Sequence, residues 1–233
     1  MLGCVYPIPA SNFKHKIPTM KKCYIIAGAP SPDLDFLRSS VPPGAFVLCA
    51  DRGYTYAEAA GISPSVIVGD FDSCASRLPA GVETVTLQRE KLYTDTVHCI
   101  DNALEKGYDE IVVFAAVGGR LDHTVANLYA LEYANQRGGS VTLLSEREEI
   151  RLLTGGKHSF EGLDGLTFSL FPLGCESAVL SISGAHYPLD RYRYESRNPV
   201  GVSNIFEGGR SEIEVHSGKL LLIINRDDRN LQF

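Results

Sequence analysis

The period of the apolar residues changes once along this chain, near residue 145, and that change limits the possible folds more than any other feature. Before it, short apolar runs alternate with segments of helical period. The runs are Cys23-Ala27, Phe46-Cys49, Val66-Val68, Thr84-Leu87, Ile111-Ala115 and Val141-Leu144, with helices expected near 32–39, 52–60, 95–106 and 122–136. The helix at 95–106 has Thr94 as a cap, Val97, Ile100 and Leu104 as an apolar stripe, and Gly107 as a stop. That at 122–136 reads with Asp122 as its cap and Gly138-Gly139 as its stop. Strands alternating with helices imply a mainly parallel sheet covered on both faces. Such sheets hold ligands at the carboxyl ends of their strands.

After residue 145 only short β-prone segments follow, separated by Gly, Asn and Pro turns. They are Arg151-Thr154, Lys157-Phe160, Thr167-Phe171, Ala178-Ile182, Val200-Asn204, Ser211-His216 and Leu220-Ile224. Strands at this spacing suggest an antiparallel sandwich or barrel. The expected fold class is an α/β N-terminal domain with a mainly parallel sheet (20–146), plus an all-β, sandwich-like C-terminal domain (147–233). Residues 1–19 show neither period, contain Pro7, Pro9 and Pro18, and lack the apolar core of a signal peptide. They read as a disordered extension or an expression artefact ahead of Met20.

A formal charge of −6 and a pI near 5.5 give no support for a nucleic-acid or anionic-membrane partner. The longest apolar runs fall far short of the roughly 18 residues of a membrane helix. The six cysteines are scattered with no CxxC pair, so reduced thiols in a cytoplasmic protein are expected. There is no GxxxxGK[ST], GxGxxG or HExxH. Gly155-Gly156-Lys157-His158 has no helix after it and reads as a hairpin turn.

The chemistry lies in acidic clusters at expected strand ends and helix starts. In Val68-Gly69-Asp70-Phe71-Asp72-Ser73 two aspartates stand one residue apart after an apolar run, so both project to one side if the segment is extended. Converging carboxylates repel and are costly to desolvate; Mg2+ offsets both effects and commonly accompanies nucleotide phosphates. A solvated acidic loop fits the same residues. Asp51 opens Asp51-Arg52-Gly53, Asp95 follows Thr94, and Asp122 lies in Gly118-Gly119-Arg120-Leu121-Asp122-His123. Asp95 and Asp122 also suit helix N-termini, where a carboxylate contributes about 0.3–1 kcal/mol. His123 reads equally as a surface histidine and Asn127 as a polar residue on an exposed helical face. Arg120 is less easily explained away, since the glycine pair admits close backbone approach and Arg clamps phosphate bidentately. Carboxylates, an arginine and a glycine pair on one sheet edge suit Mg2+-assisted phosphoryl-type transfer.

In this order, Ala50-Asp51-Arg52-Gly53, Gly69-Asp70-Phe71-Asp72-Ser73, Thr94-Asp95 and Gly118-Gly119-Arg120-Leu121-Asp122-His123-Thr124-Val125-Ala126-Asn127 resemble the thiamine pyrophosphokinase family from about Lys22 onward. Ser203-Asn204 resembles its short Ser-Asn motif. The resemblance implies Mg2+-dependent transfer of pyrophosphate from ATP to thiamine, giving thiamine diphosphate and AMP. It further implies a homodimer with thiamine bound at the subunit interface. By the same resemblance Asp70, Asp72 and Asp95 hold Mg2+ and phosphates, and Arg120 and Asp122 organise the transferring group. Gly28, Asp51, Arg52, Gly53, Thr94, Gly119, His123 and Asn127 lie with the nucleotide, and Ser203 and Asn204 with thiamine. Two departures stand out. Leu92 occupies the place of an acidic residue common before Thr-Asp, and the chain has no tryptophan to stack on thiamine. Tyr187, Tyr192, Tyr194 and Phe206 are the candidates for that stack. The rival readings are an aspartyl-phosphate phosphatase built on Asp70-Phe71-Asp72, and a non-catalytic nucleotide or thiamine sensor.

Overall fold

The computed structural model describes residues 21–71, 78–88, 90 and 92–227. The expected Mg2+ ligand Asp72 and the N-terminal extension lie outside them. The α/β half contains β1 (Lys22–Ile26), α1 (Leu34–Ser40), β2 (Val47–Ala50), α2 (Gly53–Ala60), β3 (Val66–Gly69), β4 (Glu83–Thr86), α3 (Asp95–Glu105), β5 (Glu110–Phe114), α4 (Leu121–Asn135) and β6 (Ser140–Leu144). These six strands are parallel, in the order β6-β5-β1-β2-β3-β4. Central strands such as β2 and β3 are buried on both faces, which is why they read as unbroken apolar runs. One face packs on α3 and α4 through Cys23, Ile25, Ile100 and Leu131; the other packs on α1 and α2 through Ile26, Leu37, Ala57 and Ile67.

The C-terminal half contains β7 (Glu148–Leu153), β8 (Gly156–Glu161), β9 (Thr167–Pro172), β10 (Ser177–Ser183), β11 (Leu189–Glu195), β12 (Asn204–Ile205), β13 (Arg210–Ser217) and β14 (Leu220–Asn225). The sheet does not stop where the sequence changes period. β7 pairs antiparallel with β6, and β14, β9 and β12 follow, making a ten-stranded sheet. A second sheet, β11-β10-β13-β8, covers the antiparallel end as a sandwich. Alternation along β14 serves both cores: Leu220, Leu222 and Ile224 face the sandwich, while Leu221 and Ile223 face the α/β layer.

Three local expectations are corrected. β7 and β8 belong to different sheets, so the Gly155-Gly156 segment carries the chain between sheets and is not a hairpin. α4 has Arg120 at its N-cap, with Asp122 in its first turn. The strand expected at Val200-Asn204 shrinks to β12, because Ser203 is left-handed at φ 59°. No described helix is long and apolar enough to cross a membrane. Burial pushes the thiols of Cys23 and Cys99 upward, that of Cys23 to about 12, so neither is a reactive thiolate.

Candidate active site

In the parallel part of the sheet the chain runs outward from β1 to β4 and then returns to β5 on the other side of β1. The β1/β5 junction is therefore the topological switch point, where two strand-end loops diverge and leave a crevice. A cavity of about 510 Å³ lies elsewhere, in the sandwich; the one at the switch point measures about 570 Å³. It is bordered by Gly28 after β1, Asp51 and Arg52 after β2, Thr94 and Asp95 at the start of α3, and Gly119, Arg120, His123 and Asn127 at the start of α4. Residues separated by up to a hundred positions thus meet because parallel strands put all their following loops on one edge. Asp70 follows β3 on the same edge, next to Asp51: the Asp51 amide donates to the Val68 carbonyl at 2.8 Å. Asp70, Gly53 and Asp122 do not border the cavity itself.

Several of these positions have structural duties. A Cβ on Gly53 would overlap the Ile26 carbonyl oxygen and lie 2.7 Å from its carbon, so this glycine lets α2 rest against the end of β1. Gly119 is left-handed at φ 67°, and a Cβ there would come within 2.5 Å of Pro30 Cδ. The Thr94 side chain accepts from the Val97 amide and caps α3 as its sequence position suggested. Asn127 is buried rather than on an exposed face, and its Nδ2 donates to the Ala116 carbonyl at 2.6 Å.

Arg120 and Asp122 form a two-pronged pair: Nε to Oδ1 at 3.1 Å and Nη2 to Oδ2 at 2.5 Å. Asp122 Oδ1 also accepts from the His123 amide at 2.9 Å. The Arg120 guanidinium holds the Asp122 carboxyl below the usual carboxylate range, and Asp122 raises Arg120 in turn. Both side chains are exposed, so their value is in orientation, with little effect on stability.

Backbone conformation carries a signal that residue types did not. Ser31, Asp51, Phe71 and Ala115, none of them glycine, all have positive φ and follow β1, β2, β3 and β5 on this one edge. Left-handed backbone at such residues costs about 1–3 kcal/mol each and collects at functional sites. Ala116 also borders the cavity, and nothing in its chemistry announced it.

The sandwich cavity is apolar, bordered by Leu170, Leu180, Ile182, Tyr187, Tyr192, Val202 and Asn204 among others. Asn204 clamps the loop before β11: its Oδ1 accepts from the Tyr187 amide and its Nδ2 donates to the Tyr187 carbonyl, both at 2.9 Å. The Ser203 amide donates to Ser169 Oγ at 3.2 Å. Of the four aromatic candidates for stacking, Tyr187 and Tyr192 are exposed along the rim. Phe206 is buried against Phe168, with ring centroids 4.3 Å apart, and Tyr194 is buried with its hydroxyl accepting from the Gly201 amide. Tyr194 nevertheless borders the cavity, whereas Phe206 does not.

Two family descriptions match this chain: "Thiamin pyrophosphokinase, catalytic domain" over residues 40–143 and "Thiamin pyrophosphokinase, vitamin B1 binding domain" over 157–222. The thiamine pyrophosphokinase of Bacillus subtilis is 27% identical over 214 residues, which cover 89% of this chain and 100% of that protein. Thiamine pyrophosphokinase 1 of Oryza sativa subsp. japonica is 30% identical over 161 residues, 62% of this chain and 60% of the rice protein. Among solved structures, that of the Bacillus subtilis enzyme superposes with a TM-score of 0.81 at 24% identity, covering 89% of this chain and 100% of the other. That from Candida albicans superposes at 0.69 and 19%, covering 91% and 95%.

Proposed function

This chain belongs to the thiamine pyrophosphokinase family, and on that premise we propose that it transfers a pyrophosphoryl group from ATP to the hydroxyethyl oxygen of thiamine, giving thiamine diphosphate and AMP. One observation carries the reading to this chain. A polar crevice with arginines, carboxylates and glycine amides lies in the half that matches the catalytic description, and an aromatic cavity in the half that matches the vitamin-binding one.

The polyphosphate lies at the switch point. The Gly118-Gly119 turn lets backbone approach it, the N-terminus of α3 faces it, and Arg52 and Arg120 supply positive charge. Asp122 orients Arg120; with its oxygens engaged by Arg120 and the His123 amide, it is poorly placed to take the acceptor's proton. Asp51 and Asp95 border the same crevice, and carboxylates beside a polyphosphate are unfavourable without a cation. Hard oxygen donors of this kind fit Mg2+. Among the described residues no three candidate ligands converge, and Asp72 lies outside them. Asp70, Asp72 and Asp95 would hold the ion, which would supply charge neutralisation at the phosphate oxygens. The thiamine oxygen forms a bond to the β-phosphorus, the bond to the bridging oxygen breaks, that electron pair leaves on AMP, and the alcohol's proton passes to water.

Thiamine would occupy the sandwich cavity, with Ser203 and Asn204 shaping its wall and Tyr187 or Tyr192 against its rings. A homodimer is part of the reading. Five strand steps separate β1 from β9 in the sheet, so the two cavities stand on the order of 24 Å apart. Reacting atoms must approach to about 3–3.5 Å. A second copy that lays its aromatic cavity over this crevice meets that requirement.

The test is incubation with thiamine, ATP and Mg2+, with AMP and thiamine diphosphate measured. Equal amounts of the two are expected. Binding of both substrates without turnover would instead make the chain a sensor.

A further inference from the structure

On the outer face of the four-stranded sheet, away from both cavities, a serine, a histidine and a glutamate stand in line. Ser181 lies on β10 between Leu180 and Ile182, which point into the sandwich core, so its side chain is on the outer face. Its Oγ is 2.8 Å from His216 Nε2 on β13. His216 Nδ1 faces Glu214 Oε1 at 3.7 Å, an ion-pair separation, and Glu214 Oε2 is 3.7 Å from Lys157 Nζ on β8. Beside a carboxylate the ring proton is favoured on Nδ1, which leaves Nε2 to accept the Ser181 hydroxyl proton. The His216 side chain is only 17% exposed, so neighbouring groups hold the ring in place.

Two irregularities of the sheet converge on Ser181. The register between β10 and β13 slips between Val179 and Leu180, which makes His216 the extra residue of a bulge. The register between β10 and β11 slips between Leu180 and Ile182, so Ser181 faces two residues, Asp190 and Arg191. Arg191 is left-handed at φ 43°, and its amide donates to Ser181 Oγ at 3.0 Å. Bulges re-aim side chains and backbone groups, and left-handed backbone at a non-glycine residue costs about 1–3 kcal/mol. A serine–histidine bond across regular strands requires neither.

We propose that Ser181 is a nucleophile that accepts a short acyl group from an activated carboxylic ester, with His216 as its general base and Glu214 as the residue that positions the base. A nucleophile within hydrogen-bond reach of a base, with the base oriented by a third group, is the arrangement that such chemistry needs. Oγ forms a bond to the acyl carbon, the ester C–O bond breaks, and the Oγ proton passes to His216 Nε2 and from there to the departing oxygen. The Arg191 amide, released as Oγ bonds to carbon, is the donor beside the developing oxyanion. A single such donor makes the later attack by water slow, so acyl-Ser181 accumulates. Lys157, Glu212 and Arg193 on the surrounding strands offer little apolar surface to a long acyl chain, which sets the class as short esters.

The test treats the full chain with p-nitrophenyl acetate, following released p-nitrophenolate by absorbance and locating the acetyl group by peptide mass mapping. A burst of one acetyl per chain on Ser181 is expected, absent from Ser181→Ala. His216→Gln is expected to acetylate Ser181 at least about tenfold more slowly, with unchanged circular dichroism. Glu214→Gln is expected to slow the burst as well, and Glu214→Asp to restore part of the rate. Ser181 free of acetyl while lysines are modified would overturn the proposal, and that result comes from the wild-type chain, whether or not a variant folds. Acetylation of Ser181 at an unchanged rate in His216→Gln would overturn it too. Neither readout involves thiamine or ATP, so failure here leaves the pyrophosphoryl transfer untouched, and failure of that transfer leaves this intact.

Discussion

The buried side-chain amide of Asn127 donates to the main-chain carbonyl of Ala116 at 2.6 Å, tying the second turn of α4 to the loop that leaves β5. That loop carries Gly118, Gly119 and Arg120, so a residue read as a nucleotide ligand also sets the shape of the crevice at the switch point. Asn127→Ala leaves a buried carbonyl without its donor, which costs about 1–3 kcal/mol. A lower urea midpoint and a raised KM for ATP are expected. Unchanged stability would mean that the loop keeps its shape without Asn127.

Gly53 and Gly28 make a contrasting pair. Gly53→Ala drives a Cβ into the Ile26 carbonyl, where neither backbone segment can give way cheaply, so a loss of roughly 2 kcal/mol or more is expected. At Gly28 an added Cβ would meet Arg52 Cβ at an ordinary 3.6 Å. Gly28→Ala is expected to unfold as the wild type does, with any defect confined to nucleotide affinity. Thermal melts with ATP titrations separate the two.

Asp122→Asn releases Arg120 from its two-pronged partner. Turnover is expected to fall at least about tenfold, or 1.4 kcal/mol of barrier, with Tm unchanged because the pair is exposed. Its pH dependence follows from the depressed carboxyl of Asp122. The pair is intact above the ordinary carboxylate value of about 3.9 and is lost only as pH falls through the lower folded value. A limb in the kcat profile between pH 8 and 5 that vanishes in Asp122→Asn would contradict this assignment.

Lys219, in the turn between β13 and β14, forms an ion pair with the largely buried Glu132 on α4 and so links the two halves of the fold. Lys219→Met leaves the carboxylate with the Gln136 side-chain amide but without its cation, and a cost of about 1–3 kcal/mol is expected because the lysine retains some access to water. Adding Glu132→Gln is expected to recover part of the loss. Strict additivity in denaturant unfolding would show that the two residues are uncoupled.

Removal of divalent cations with a chelator is expected to abolish turnover, and Mg2+ to restore it. Asp72→Asn is expected to reduce turnover at least about tenfold at saturating Mg2+. Near-wild-type activity would take Asp72 out of the cation site.

Sequence alone determined the class of each half, the order of the motifs and the gathering of Asp51, Asp95 and Arg120 on one edge. The reason is local: strands buried on both faces must be apolar throughout, and parallel strands joined by helices put every following loop at the same end. β11 escaped notice because Leu189–Glu195 is an edge strand with charged residues at most positions, which leaves no apolar period to read. Tertiary structure decided what depends on contacts between distant segments. It buried Phe206 and Tyr194 while leaving Tyr187 and Tyr192 on the cavity rim. It also ran one sheet through both halves, so that β14 packs into both cores at once. Backbone pairing between strands far apart in the chain has no signature in either strand taken singly, and the separation of the two cavities follows from that pairing.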